Sequence, residues 1–183
     1  MLFLLMTGFA AAYEPVRGID FPQKTTVEEY NFYHDISLRF TVNRQNNTGY
    51  NNELLYRAIV VSSAASFKQI QSLGAIEKRC TPNDLLEIFE IGEEQLNSPN
   101  RFPEQFIGTD ENGRDPLWGY FDPRMSEPGY NAIVVSPHSL DSNYRVLVHE
   151  IAHHWYATFC LERYTSLTSE EFAVEIQKKA TWN

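Results

Sequence analysis

The sequence contains little cysteine and few basic residues, and both shortages narrow the range of functions. Cysteine occurs only as Cys80 and Cys160, and neither has a second Cys or a His at the spacing of a zinc ribbon. Lys and Arg number 15 against 24 acidic residues, which gives a formal net charge of −9. No basic block is longer than two residues. An acidic chain without a basic patch binds phosphate backbones poorly, so nucleic acid is not an expected partner.

Long apolar runs are also scarce, and no stretch has the length of a stable membrane span. The apolar run over residues 1–13 has the length of a signal-peptide core, and Ala10-x-Ala12 resembles a cleavage site, although no Lys or Arg precedes the run. The sequence therefore predicts a signal peptide at 1–12, an exported (periplasmic or secreted) protein and a single domain at 13–183. Export favours a disulfide between the two cysteines, and two buried thiols are the alternative.

Apolar periodicity predicts an α+β fold that is mainly helical, with a small antiparallel sheet or hairpin. Thr26 and Glu29 form a candidate capping box, so a helix is expected to begin near residue 25 and to turn extended near 37–42. Helical apolar spacing predicts four more helices, at 53–73, 81–97, 140–162 and 167–177. Aromatic and β-branched residues predict two strands joined as an antiparallel hairpin, at 117–121 and 130–135.

The predicted helix at 140–162 carries one His-Glu-x-x-His motif, formed by His149, Glu150 and His153. Two histidines four positions apart lie one turn apart on the same helical face, where both imidazoles can reach one small ion. Glu150 lies about 100° around the helix from His149, beside the ion and not beneath it. The pattern favours two metal ligands and one general base.

A catalytic zinc ion needs a third protein ligand, and two adjacent glutamates in the next helix compete for that role. Thr168 and Glu171 fit a capping box, which would occupy the Glu171 carboxylate at the helix start and leave Glu170 free. Glu170 is therefore the preferred ligand and Glu171 the alternative. Small Ala173 on the same face as Glu170 would permit a close approach to the motif helix.

A strand that leads into a His149-Glu150-x-x-His153 helix, followed by a helix with Glu170-x-x-Ala173, resembles the gluzincin zinc metallopeptidases. It is similar to small bacterial metallopeptidases that retain only the catalytic core, here about residues 117–177. The resemblance implies that His149, His153 and Glu170 bind Zn²⁺, that Glu150 is general base and acid, and that a peptide or protein is the substrate. Val174 is a departure, because thermolysin-like enzymes have an acidic residue one turn after the ligand glutamate.

The sequence does not assign a single role to several other side chains. Stabilisation of a developing negative charge has four candidates, His138, Arg145, Tyr156 and Tyr164. His154 and Glu175 are interpreted as structural or exposed groups, with support of a metal ligand as the alternative role. Two further classes of protein compete with the peptidase: a zinc-binding module without proteolytic activity, structural or interacting with a partner, and a metal-free helical interaction protein.

Overall fold

The described part of the chain combines one β-sheet with a layer of helices. A computed structural model describes residues 23–33, 36–45, 52–80, 85–92, 119–123, 131–135 and 145–180. The predicted signal peptide and His138 lie outside these ranges. The elements in chain order are β1 (Gln23–Tyr33), β2 (Ile36–Arg44), α1 (Asn52–Ser72), β3 (Leu85–Glu90), β4 (Gly119–Pro123), β5 (Asn131–Val135), α2 (Arg145–Thr158), a 3-10 turn (Leu161–Arg163) and α3 (Ser169–Lys179). No helix in the described ranges is long and apolar enough to cross a membrane.

The five strands form a single mixed sheet in the order β1-β2-β3-β5-β4. Strands β2, β3 and β5 are parallel, and the outer strands β1 and β4 are each antiparallel to their neighbour. The α+β class is confirmed, but the expectation of a small antiparallel sheet is wrong, because the three central strands are parallel. The outer pair β4–β5 does have the antiparallel register of a hairpin, with Gly119 opposite Val135 and Pro123 opposite Asn131.

Two of the predicted helices are strands in the structure. The segment near Thr25 belongs to β1, where its β-branched and aromatic residues pair with β2, and this pairing prevails over the capping pattern. The segment at 81–97 contains β3, which lies between two parallel neighbours. Leu86 and Ile88 are buried on one face of β3 and Phe89 on the other. A strand buried on both faces has a nearly continuous apolar run, which also matches helical spacing.

Helix α2 is fixed against α1 by two serine hydroxyls. Ser62 Oγ donates to the carbonyl oxygen of Val148 at 2.6 Å, and the indole N–H of Trp155 donates to Ser63 Oγ at 3.0 Å. Trp155 is fully buried, and its ring lies 4.7 Å from that of Phe67 between centroids. Because these contacts lie on both sides of the His-Glu-x-x-His motif, they fix the rotation of α2 at the motif.

The cysteines form a disulfide, which decides between the two alternatives left by the sequence. Cys80 and Cys160 are bonded with their Cα atoms 6.0 Å apart. The N–H of Cys80 also donates to the carbonyl oxygen of Thr158 at the end of α2, and Lys78 Nζ lies 5.0 Å from the ring centroid of Tyr164. These contacts hold the α2–α3 connection against the segment after α1. Closing a loop with a separation of 80 residues contributes about 4.5 kcal/mol by chain entropy.

Gly119 allows the edge strand β4 to approach α2 closely. A Cβ at this position would lie 2.8 Å from Val146 Cγ1 and 3.1 Å from Val135 Cγ1. We expect Gly119→Ala to lower the free energy of unfolding by about 1–3 kcal/mol in urea denaturation, because β4 or α2 must shift. Gly92→Ala is the control, since the nearest atom to its Cβ would be Gln45 Oε1 at 3.7 Å. Equal losses for both variants would contradict the close approach.

Candidate metal centre

Helix α2 presents His149 and His153 at the border between the core and solvent. Their neighbours on the apolar side, Leu147, Ile151 and Trp155, are fully buried. The side chains of His149 and His153 remain 16% and 13% exposed, so each imidazole is mostly shielded but still reachable. The predicted i, i+4 arrangement is observed, with ring centroids 4.8 Å apart.

The structure brings Glu170 to the two histidines. Its Oε2 lies 3.4 Å from Nε2 of His149 and 3.4 Å from Nε2 of His153, and the two Nε2 atoms are 3.1 Å apart. Donor atoms of a tetrahedral zinc site, each about 2.0–2.1 Å from the ion, lie about 3.3 Å from one another. The three observed separations fit this requirement. The Glu170 side chain is 68% exposed, which leaves the group accessible from solvent.

A capping box at the start of α3 explains why Glu170 is available and Glu171 is not. Thr168 Oγ1 accepts the N–H of Glu171 at 3.2 Å, and Glu171 Oε2 accepts the N–H of Thr168 at 2.8 Å. The capping box predicted from the sequence is therefore confirmed. The hydrogen bonds that the N–H and the hydroxyl of Thr168 donate to the Glu171 carboxylate lower the pKa of Glu171. Glu171 is held at the helix start, and Glu170 is the carboxylate that reaches the histidines.

Two neighbours of His153 were not predicted from the sequence. Ser169 Oγ lies 2.7 Å from Nδ1 of His153, on the opposite side of the ring from the donor group. The ring of Phe121 in β4 stacks on the His153 ring, with centroids 6.0 Å apart and planes inclined by 12°. Ser169 precedes Glu170 directly, and this adjacency was the only sequence signal for its role. The sequence contained no signal for the role of Phe121, because its contact with His153 depends on the packing of β4 against α2.

Glu150 is a buried carboxyl beside this group. The residue is 6% exposed, and no hydrogen bond joins its carboxyl to another residue in the described ranges. Burial, followed by the negative charge of Glu170, raises the pKa of Glu150 to about 8. A nearby cation would favour the ionised form and lower this pKa. Burial of a carboxyl is costly to the fold, and groups with strongly shifted pKa values cluster at functional sites.

The protonation of His153 suits a ligand. Burial, followed by the neighbouring His149, lowers the pKa of His153 to about 4, although Glu170 acts in the opposite direction. The imidazole is therefore neutral near pH 7 and keeps a lone pair on one nitrogen. Two imidazole nitrogens and one carboxylate oxygen form a donor set that suits Zn²⁺.

Two candidates for stabilising a developing charge have other contacts: Tyr164 lies under Lys78 Nζ, 5.0 Å from its ring centroid, and Tyr156 contacts Leu167. Tyr156 is buried and donates its hydroxyl to the carbonyl oxygen of Leu167 at 2.8 Å. Burial, followed by the charges of Glu162 and Glu171, raises the pKa of Tyr156. Arg145 is exposed at the first residue of α2.

His154 and Glu175 have structural contacts. The side-chain amide of Asn131 donates to Nδ1 of His154 at 2.8 Å, and burial lowers the pKa of His154 to about 3. His154 is therefore a neutral core residue. Its Nε2 is buried without a hydrogen-bond partner among the described residues. Glu175 pairs with Lys179 Nζ at 3.1 Å, one turn along α3.

Comparisons of the chain with protein-family models, curated proteins and solved structures give no match. The donor group joins two helices through three side chains whose positions are fixed by α1, by the capping box and by β4.

Proposed function

We propose that the chain is a zinc-dependent metallopeptidase, with His149, His153 and Glu170 as the metal ligands. The observation that carries this proposal is the triangle of donor atoms, with sides of 3.1, 3.4 and 3.4 Å. Three protein donors and one side open to solvent are the arrangement of a catalytic zinc site, whereas structural sites use four protein ligands.

The chemistry follows from the neighbours of the group. A zinc ion bound by the three donors would acidify a water molecule and polarise a substrate carbonyl. Glu150, one residue after a ligand and buried, would accept a proton from water and deliver it to the leaving amine. Because the Glu150 side chain is buried, competing bulk water has little access to this proton transfer.

A peptide is the proposed substrate because an edge strand passes beside the donor group. β4 ends the sheet, and its outer side has no neighbour among the described strands. Phe121 of β4 contacts His153, so a chain paired with the outer edge of β4 would pass close to the three donors. Extended peptides bind exposed sheet edges in this way through main-chain hydrogen bonds.

Export is proposed for the same protein. The disulfide Cys80–Cys160 is compatible with an oxidising compartment, where such bonds form and persist. The substrates of an exported peptidase would be cell-envelope or secreted polypeptides.

A second candidate is a zinc-binding module without catalysis. It is favoured by one observation: the donor group joins α2 to α3, so a bound ion would also fasten the two helices together.

Metal removal separates these functions. We expect the purified protein to contain about one zinc per chain by elemental analysis and to hydrolyse fluorescent casein. Treatment with a chelator should abolish hydrolysis, and stoichiometric Zn²⁺ should restore it. Bound zinc without any hydrolysis would leave the structural module as the function. Absence of metal binding would instead support the metal-free interaction protein.

A further inference from the structure

Two consecutive residues at the start of α3 contact opposite nitrogens of one imidazole. Ser169 Oγ lies 2.7 Å from Nδ1 of His153, and Glu170 Oε2 lies 3.4 Å from its Nε2. Ser169 is half-buried, and it is the first residue of α3. His153 therefore contacts the first turn of α3 on both of its nitrogens.

We propose that Ser169 is a positioning residue that prepares His153 to bind the metal, an inference that rests on the proposed metal centre. A neutral imidazole carries one N–H, and a hydrogen bond at one nitrogen determines which tautomer is present. When Ser169 Oγ accepts the Nδ1–H of His153, the lone pair resides on Nε2. Nε2 is the atom that faces His149 and Glu170.

Neighbouring residues restrain both the backbone of Ser169 and the ring of His153 that it contacts. The capping box of Thr168 and Glu171 encloses Ser169 and Glu170, so it fixes the backbone of both residues at once. Phe121 stacks on the face of the His153 ring, which restrains its tilt, while the Ser169 contact restrains its rotation in the plane. The four residues 168–171 thus combine a helix cap on the outer pair with two contacts to His153 on the inner pair.

Hydrogen-bonding partners of metal-bound histidines typically change metal affinity by about 10- to 100-fold when they are removed. We expect Ser169→Ala to weaken Zn²⁺ binding within that range, measured by competition with a chromophoric chelator. The visible absorption bands of the Co²⁺-loaded protein should shift, because the imidazole orientation changes. The melting temperature of the metal-free protein should stay near that of wild type, because Thr168 and Glu171, which form the helix cap, are unchanged. A fall in the melting temperature would indicate that the cap is lost.

Two further variants isolate the hydroxyl. Ser169→Thr retains it and should restore Zn²⁺ affinity to within about threefold of wild type, well inside the loss expected for the alanine variant. Ser166→Ala removes an exposed serine from the same connection and should leave both readouts unchanged.

The proposal is overturned if Ser169→Ala binds Zn²⁺ and Co²⁺ as wild type does, or if the alanine and threonine variants are weakened equally. Failure of the wild type to bind either ion would instead overturn the metal centre itself. Normal binding by the wild type without casein hydrolysis would overturn the peptidase activity and leave the role of Ser169 standing.

Discussion

Replacing Glu150 by glutamine is expected to reduce peptide hydrolysis by about 100- to 10,000-fold, the usual contribution of a general base. Glutamine has nearly the same shape as glutamate, so the buried site keeps its packing. It cannot accept and return a proton at neutral pH, and this is the step assigned to the carboxylate. The measurement is the rate of fluorescent casein hydrolysis at matched zinc loading.

The same variant should bind zinc normally, because Glu150 is not one of the three atoms that form the donor group. Its metal-free form should be no less stable than wild type, since the change removes a buried carboxyl that lacks a hydrogen-bond partner in the described ranges. Glu175→Gln is the matched control, because Glu175 is ion-paired with Lys179 on α3. Loss of zinc from Glu150→Gln, or hydrolysis at the wild-type rate, would contradict the assignment of Glu150 as the base.

Local sequence patterns predicted the elements that carry the donor group. The apolar stripe predicted the motif helix at 140–162, observed at Arg145–Thr158, and the second helix at 167–177 is observed at Ser169–Lys179. The capping box was also readable, because Thr168 and Glu171 interact within one helical turn. These features depend on neighbours in sequence, which is why one sequence was enough to predict them.

Features set by tertiary contacts were not predictable in the same way. β3 was expected to be helical, because a strand buried on both faces by β2 and β5 has no alternating pattern. The parallel order of the central strands depends on pairings between distant segments. The sequence left a disulfide and two buried thiols as alternatives for the cysteines, and the disulfide depends on the segment after α1 lying against the end of α2.

The residues of the donor group follow from local sequence patterns, whereas the residues that orient it depend on tertiary contacts. His149 and His153 follow from spacing on one helix, and Glu170 follows from the neighbouring cap. Ser169 and Phe121 were missed because their contacts with His153 depend on how α3 and β4 pack against α2. The sequence thus predicted the residues of the donor group, with Glu171 as the alternative to Glu170, whereas the contacts that orient one of its rings required the structure.

A pair of adjacent substitutions on α3 is expected to give opposite results for the metal. Glu170→Gln should weaken Zn²⁺ binding by more than about 100-fold, because loss of a ligand exceeds loss of a group that merely supports one. Casein hydrolysis should fall with zinc occupancy. Glu171→Gln removes the same charge one residue further along the chain. Glutamine preserves the Thr168 capping box, so zinc binding and the melting temperature should stay near wild type.

This pair tests the third ligand without a difference in charge or size between the two variants. Zinc affinity follows from competition with a chromophoric chelator, and melting with and without Zn²⁺ gives an independent value, because a ligand that binds only the folded state raises the melting temperature. If Glu171→Gln loses zinc and Glu170→Gln retains it, α3 is shifted by one residue and Glu171 is the ligand. If both retain zinc, the two histidines bind it without a carboxylate from α3, and the triangle of donor atoms does not describe the metal site.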